Sequence, residues 1–194
     1  VFGMHTANGD SPADFTYVSP DVSNFQIYAV RPELNSKNVR FMLSSSTPFP
    51  IGELTSSQYE EAYDGNRWNL SVRVRPDKYP MTHDVTGSDT TSYVVEFHGV
   101  NLIGGVPQNE FLLTSSMSQT QGENFLKSGK RLYAGAHRQN FTASLVDWQN
   151  IAHDALTDVS IASVRYWASY LDQDVINSHA RDPDRHGVKN PYKR

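Results

Sequence analysis

Short segments in which apolar and polar residues alternate constrain this chain most. In the clearest segment the two kinds of residue occupy alternate positions: Leu70, Val72 and Val74 against Ser71, Arg73 and Arg75. This alternation is typical of a β-strand with one face in a core, and Pro76 ends the strand because proline cannot donate a ladder hydrogen bond. We expect the three apolar side chains to face the core, and Ser71, Arg73 and Arg75 to face solvent or a partner.

Further strands of this kind are expected elsewhere along the chain, at 25–30, 39–43, 93–98, 111–114 and 132–134. Residues 32–38 are rich in turn formers and predict a hairpin between the first two of these strands. The stretches between the other strands contain many Gly, Pro, Asn, Asp and Ser residues and predict loops at 44–58, 76–92, 99–109 and 115–131. Many short strands joined by such loops favour an all-β fold, a two-sheet antiparallel β-sandwich.

One helix is expected, near the C-terminus. Asp172 can cap a helix over residues 173–180, and Arg181-Asp182-Pro183 ends it. We expect this short C-terminal helix to pack on the outside of the sandwich through Leu171, Val175 and Ile176, with Gln173 on the exposed side.

Composition excludes several classes of function. A net charge of −4 gives no basic face for nucleic acid. The absence of cysteine removes disulfides and thiolate metal sites. No apolar run approaches the roughly 18 residues of a membrane span, so no membrane insertion is expected, and Val1-Phe2-Gly3-Met4 does not begin a signal peptide. A length of 194 residues suits one domain, which we interpret as a module of a longer protein.

Two blocks of sequence resemble the laminin G-like and concanavalin A-like (pentraxin-like) domains. The first runs from Leu132-Tyr133-Ala134-Gly135 to Phe141-Thr142 and continues in a final strand over 159–167, with Leu171 and Ile176 matching a closing helical turn. The second is 63–72, which resembles the tryptophan-led core strand of that family. The chain departs from the pattern at Ala143, where the family often has glycine, and in an insertion over 147–158. The sequence of residues 165–182 is similar to that of laminin G-like modules in structural proteins of tailed bacteriophages.

The resemblance implies a concanavalin A-like jelly roll over residues 20–182, with an N-terminal extension over 1–19 and a C-terminal linker over 183–194. It also implies a non-catalytic recognition or assembly module of a larger virion or extracellular structural protein, located on the virion or extracellular surface. Its expected partners are other structural subunits or cell-surface glycans. A carbohydrate-binding lectin domain and a divergent glycoside hydrolase are the alternatives.

Enzymatic chemistry finds little support in the residue spacing, and we expect no enzyme. Glycosidases of this fold carry Glu-x-Asp-x-x-Glu on one strand, because retaining hydrolysis needs two closely spaced carboxylates, and no such spacing is present. Ser44-Ser45-Ser46 lacks the elbow of a nucleophilic serine. The segment from Gly122 to Arg131 fails as a phosphate loop because its glycine spacing is wrong and Arg131 replaces the required Ser or Thr.

No cofactor is expected from the residues themselves. Seven histidines include no close ligand pair. The family resemblance implies a possible calcium ion, for which Asp84, Asp89 and Asp147 lie on predicted loops. The candidate ligand-binding residues are Trp148, Asp147 and His137, since Trp148 is the tryptophan placed in a polar loop where a ring can stack on a ligand. The other large aromatic residues are expected to pack in the core or on a sheet face: Trp68, Phe97, Tyr166, Trp167 and Tyr170.

Overall fold

The computed structural model describes a little more than half of the chain. The described residues are 1–6, 23–33, 35–45, 51, 53–60, 62, 65–78, 92–127, 129–135, 160–182 and 184. Within them the chain forms strands β1 (Phe2–Thr6), β2 (Ser23–Val30), β3 (Arg40–Ser44), β4 (Leu54–Thr55), β5 (Arg67–Pro76), β6 (Tyr93–Ile103), β7 (Val106–Met117) and β8 (Lys130–Ala134), and helices α1 (Gln119–Lys127) and α2 (Gln173–Arg181).

The strands form two antiparallel sheets, as the alternating segments predict. The first sheet has the order β4-β3-β2-β1-β8, and the second has the order β5-β6-β7. Residues 2–6, which belong to the expected N-terminal extension, form β1 between β2 and β8. The predicted hairpin over 32–38 is confirmed, because it joins β2 to β3 in antiparallel register. No helix within the described ranges is long and apolar enough to cross a membrane.

The core lies between the two sheets. Phe25, Ile27, Phe41 and Leu43 from the first sheet share one buried cluster with Val95, Phe97 and Phe111 from the second. The ring of Phe41 stacks on that of Phe111 at a centroid distance of 5.9 Å, and Trp68 lies 4.7 Å from Phe41. Leu70, Val72 and Val74 pack against this cluster, so the predicted core face of β5 is confirmed. The arrangement is compatible with a β-sandwich.

The predicted loop over 99–109 is wrong, because β6 and β7 continue through it to a tight turn. Ile103 pairs with Val106, and Gly104 and Gly105 between them have φ values of 59° and 81°. Glycine adopts positive φ without steric cost, and two such residues make the turn whose twist suits an antiparallel hairpin.

The expectation of a single helix is also wrong, since α1 occupies much of the predicted loop over 115–131. Ser118 and Gln121 cap it reciprocally: the Gln121 amide donates to Ser118 Oγ, and the Ser118 amide donates to Gln121 Oε1 at 3.0 Å. Phe125 fixes α1 to the core, with its ring 4.9 Å from that of Phe25.

The predicted final strand over 159–167 is wrong for the residues that the structure describes. Residues 160–167 form no strand. Ile161 and Val164 are both exposed, as is Tyr166, which was expected to pack. Because its aliphatic residues are exposed, the segment does not supply a core face.

Helix α2 confirms the predicted C-terminal helix. The Asp172 side chain accepts from the Val175 amide at 3.1 Å, as an N-cap does, and the helix ends before Asp182. Leu171, Ile176 and Ala180 are buried. The helix contacts β5 and β6 on the face of the second sheet that points away from the core.

Candidate functional site

A group of polar side chains lies between the second sheet and residues 170–182, which we call the C-terminal segment. We call it the outer-face cluster and define it by its members: Arg73, Arg75, Glu96, His98, Tyr170 and Gln173. The strand register explains how it forms, because β5 and β6 place Arg73 opposite Glu96 and Ser71 opposite His98. These residues alternate with the core-facing ones, so they share the outer face of the sheet.

Arg73 is buried, which corrects the expectation that it faces solvent. Its side chain is 6% exposed, and its Nη2 lies 3.0 Å from Glu96 Oε2. The same guanidinium donates to the backbone oxygen of Leu171 at 3.3 Å and to Gln173 Oε1 at 2.6 Å, and it lies over the Tyr170 ring. The C-terminal segment covers this part of the sheet, which alternation along one strand cannot reveal.

Glu96 is the centre of charge in the cluster. Besides Arg73, its carboxylate accepts from Arg75 Nε at 2.8 Å and from the Tyr170 hydroxyl at 3.0 Å. The hydrogen bond to Glu96 raises the pKa of Arg75, and burial raises the pKa of Tyr170. Both carboxylate oxygens are therefore occupied by donors from β5 and from the C-terminal segment.

His98 is fully buried, and its ring joins three elements. Its Nε2 lies 2.9 Å from Glu110 Oε1 on β7 and 2.9 Å from Gln173 Nε2 on α2. Burial lowers the pKa of the ring, with Arg73 adding to that effect and the carboxylates of Glu110 and Glu96 opposing it. Gln173 also donates to Asn177, so it is not on the exposed side of α2 as expected.

One sheet face holds the three residue types of a catalytic triad, in Ser71, His98 and Glu110. An activated serine needs a hydrogen bond to its base. Ser71 Oγ is buried and has no hydrogen-bond partner within the described structure, and neither has His98 Nδ1. Helix α2 lies over β5 and β6, and the ring of His98 has no solvent exposure. Ser71 and His98 therefore lack the mutual hydrogen bond and the solvent access of a hydrolase's nucleophile and base.

The outer-face cluster was not among the candidate sites derived from the sequence. A signal for it exists, since Arg73 and Arg75 on one alternating strand match Glu96 and His98 on the next. The residues that were named, Trp148, Asp147 and His137, lie outside the described residues, as do the calcium candidates Asp84 and Asp89. In the described part of the chain, no group of three or more His, Cys, Asp or Glu side chains converges as a metal site.

Comparisons of the chain with protein-family models, with curated proteins and with solved structures give no match.

Proposed function

We propose that the chain is a non-catalytic recognition or assembly module, with a laminin G-like jelly-roll fold, of a larger virion or extracellular structural protein. The observation that carries the proposal is that the polar groups of the outer-face cluster are bonded to protein groups. Its acid, base and cationic groups bind one another and the C-terminal segment, at Leu171 and Gln173, and Glu96 and His98 are both buried within the described structure.

The two carboxylates on this sheet face are held by protein groups. Glu96 accepts from Arg73, Arg75 and Tyr170, and Glu110 Oε1 lies 2.9 Å from His98 Nε2. Retaining and inverting glycosidases need one carboxyl group to protonate the leaving oxygen and another to act as nucleophile or base. Because Glu96 is buried and bonded to two guanidinium groups, the pair supports a structural role better than a catalytic one.

The exposed apolar side chains favour a protein partner over a sugar. In the described part of the chain, all the exposed large hydrophobic side chains are aliphatic except Tyr166. Sugars are recognised by exposed aromatic rings, whereas aliphatic groups suit a protein surface. Three of the aliphatic residues, Ile103, Val106 and Leu112, belong to the β6–β7 hairpin, which we assign as the contact surface with further structural subunits.

The non-catalytic part of the proposal is tested by incubating the purified chain with polysaccharides and with peptidoglycan. We expect no release of reducing sugars. Release that disappears in Glu96→Gln or Glu110→Gln would show that the chain is a hydrolase.

The assembly part is tested by sedimentation velocity over a concentration series, with copies of the chain as the simplest partner. We expect self-association that Leu112→Asp weakens. Leu126→Asp is the matched control, because Leu126 is as exposed as Leu112 but lies on α1, outside the β6–β7 hairpin. A chain that stays monomeric and binds a defined glycan would support the lectin alternative instead.

A further inference from the structure

The buried histidine of the outer-face cluster has two partners that require opposite protonation states. His98 Nε2 lies 2.9 Å from Gln173 Nε2 and 2.9 Å from Glu110 Oε1. An amide nitrogen can only donate a hydrogen bond, and an ionised carboxylate can only accept one. One ring nitrogen cannot accept from Gln173 and donate to Glu110 at the same time.

The amide of Gln173 is fixed in its orientation by its other partners. Its oxygen accepts from Arg73 Nη2 at 2.6 Å, and its nitrogen donates to Asn177 Oδ1 at 3.1 Å. Turning the amide over would point its nitrogen at the guanidinium and its oxygen at another oxygen. Gln173 therefore presents an N–H group to His98, and the ring accepts it when Nε2 carries no proton.

We propose that His98 is a proton-sensitive latch for helix α2. The neutral ring, with its one proton on Nδ1, accepts a hydrogen bond from Gln173 at Nε2 and so holds α2 on the second sheet. A proton taken from solvent at Nε2 turns that nitrogen into a donor, which bonds to Glu110 on β7 and meets Gln173 donor to donor. Acidification thus releases α2 and exposes the outer face of β5 and β6. The proposal does not depend on the proposed function.

The charges around the ring are nearly balanced. Arg73 faces it from β5, Glu96 from its own strand and Glu110 from β7, while α2 presents the neutral Gln173. Arg75 and Tyr170 act through Glu96, to which both are bonded. Helix α2 also carries a second buried histidine, His179, which stacks on Trp167 with a centroid distance of 5.6 Å. Glu110 is 47% exposed and gives the proton a route from solvent.

Burial agrees with a switch in mildly acidic solution. It lowers the pKa of His98 below the usual value of about 6.5, so the ring is neutral at pH 7 and α2 is closed. The helix has only nine residues, and a helix this short is marginal alone in water. Its attachment therefore depends on its contacts with the second sheet, and the one to His98 is buried.

Hydrogen–deuterium exchange of the full chain tests the latch. Exchange in peptides covering 173–181, corrected for the intrinsic effect of pH, should rise as the pH falls below about 6.5. If opening is coupled to the binding of one proton, the exchange rate of these peptides can rise by up to roughly tenfold for each pH unit. Peptides of β6 should stay protected over the same range, because the opening is local.

Three variants decide whether His98 is responsible. His98→Gln places a non-titrating acceptor near Nε2, and protection of α2 should become independent of pH. His179→Gln, at the other buried histidine, should keep the wild-type dependence. Glu110→Gln replaces the charged acceptor of the protonated ring with a neutral amide and should move the opening to lower pH.

Glu110→Gln also keeps the test valid if His98→Gln fails to fold, since Glu110 is half-exposed. The proposal is overturned if Glu110→Gln opens at the same pH as the wild type, or if a folded His98→Gln retains the wild-type pH dependence.

Discussion

The guanidinium of Arg73 lies 3.0 Å from the carboxylate of Glu96, and both side chains are more than nine-tenths buried. They occupy the sheet face that alternation alone assigns to solvent. Buried charges are tolerated when they are paired and hydrogen-bonded, and Tyr170, Leu171 and Gln173 provide further hydrogen bonds to this pair. Since all three belong to the C-terminal segment, that segment is part of the folded domain.

Gln173→Ala should destabilise the chain by roughly 1–3 kcal/mol, because it leaves one N–H of Arg73 and the acceptor nitrogen of His98 buried without Gln173. Asp174→Ala is the matched control, one residue along the same helix and exposed, and it should cost less than about 1 kcal/mol. Urea titration measures both. Equal losses would place Gln173 on the exposed side of α2, as the sequence suggested.

Gly122→Ala should destabilise the chain although alanine favours a helix interior over glycine by about 1 kcal/mol. A Cβ at Gly122 would overlap the ring of Tyr93, so α1 would have to move away from β6, at a cost of roughly 1–3 kcal/mol. Asn124→Ala, at an exposed position of the same helix, should be neutral or slightly stabilising. A higher thermal midpoint for Gly122→Ala would contradict the packing of α1 described above.

Stability should fall in mild acid because of His98. Burial lowers the pKa of the folded ring below the unfolded value of about 6.5, so the unfolded chain binds the proton first as the pH falls. The contribution of the ring is thus complete above pH 6.5 and declines as the pH falls towards the folded pKa. The thermal midpoint of His98→Gln should depend less on pH between 7.5 and 5 than that of the wild type. Parallel curves for the two proteins would count against this account.

Local pattern was sufficient to predict much of the fold. The strands at 25–30, 93–98 and 111–114 and the helix capped by Asp172 are confirmed, because each is encoded by a few neighbouring residues. Two local signals were missed. Gly104-Gly105 is a hairpin turn, and Ser118 with Gln121 is a helix cap.

The outer-face cluster could not be predicted in the same way, since it depends on contacts between distant parts of the chain. Arg73 and Gln173 are 100 residues apart in sequence. The position of the C-terminal segment determines whether the polar face of β5 contacts water or a helix. The alternation of residues within β5 contains no information about that position. The apolar residues Ile161 and Val164 fit a strand pattern but have no buried face to occupy.

The free energy of unfolding of Glu96→Ala, compared with that of Glu110→Ala, tests most directly whether the outer-face cluster holds the domain together. Glu96→Ala leaves Arg73 buried without its counter-ion, which should cost about 3–5 kcal/mol in a urea titration. Glu110→Ala removes a half-exposed carboxylate on the same sheet face and should cost less than about 1 kcal/mol. Losses below about 1 kcal/mol for both variants would contradict the structural role assigned to the outer-face cluster.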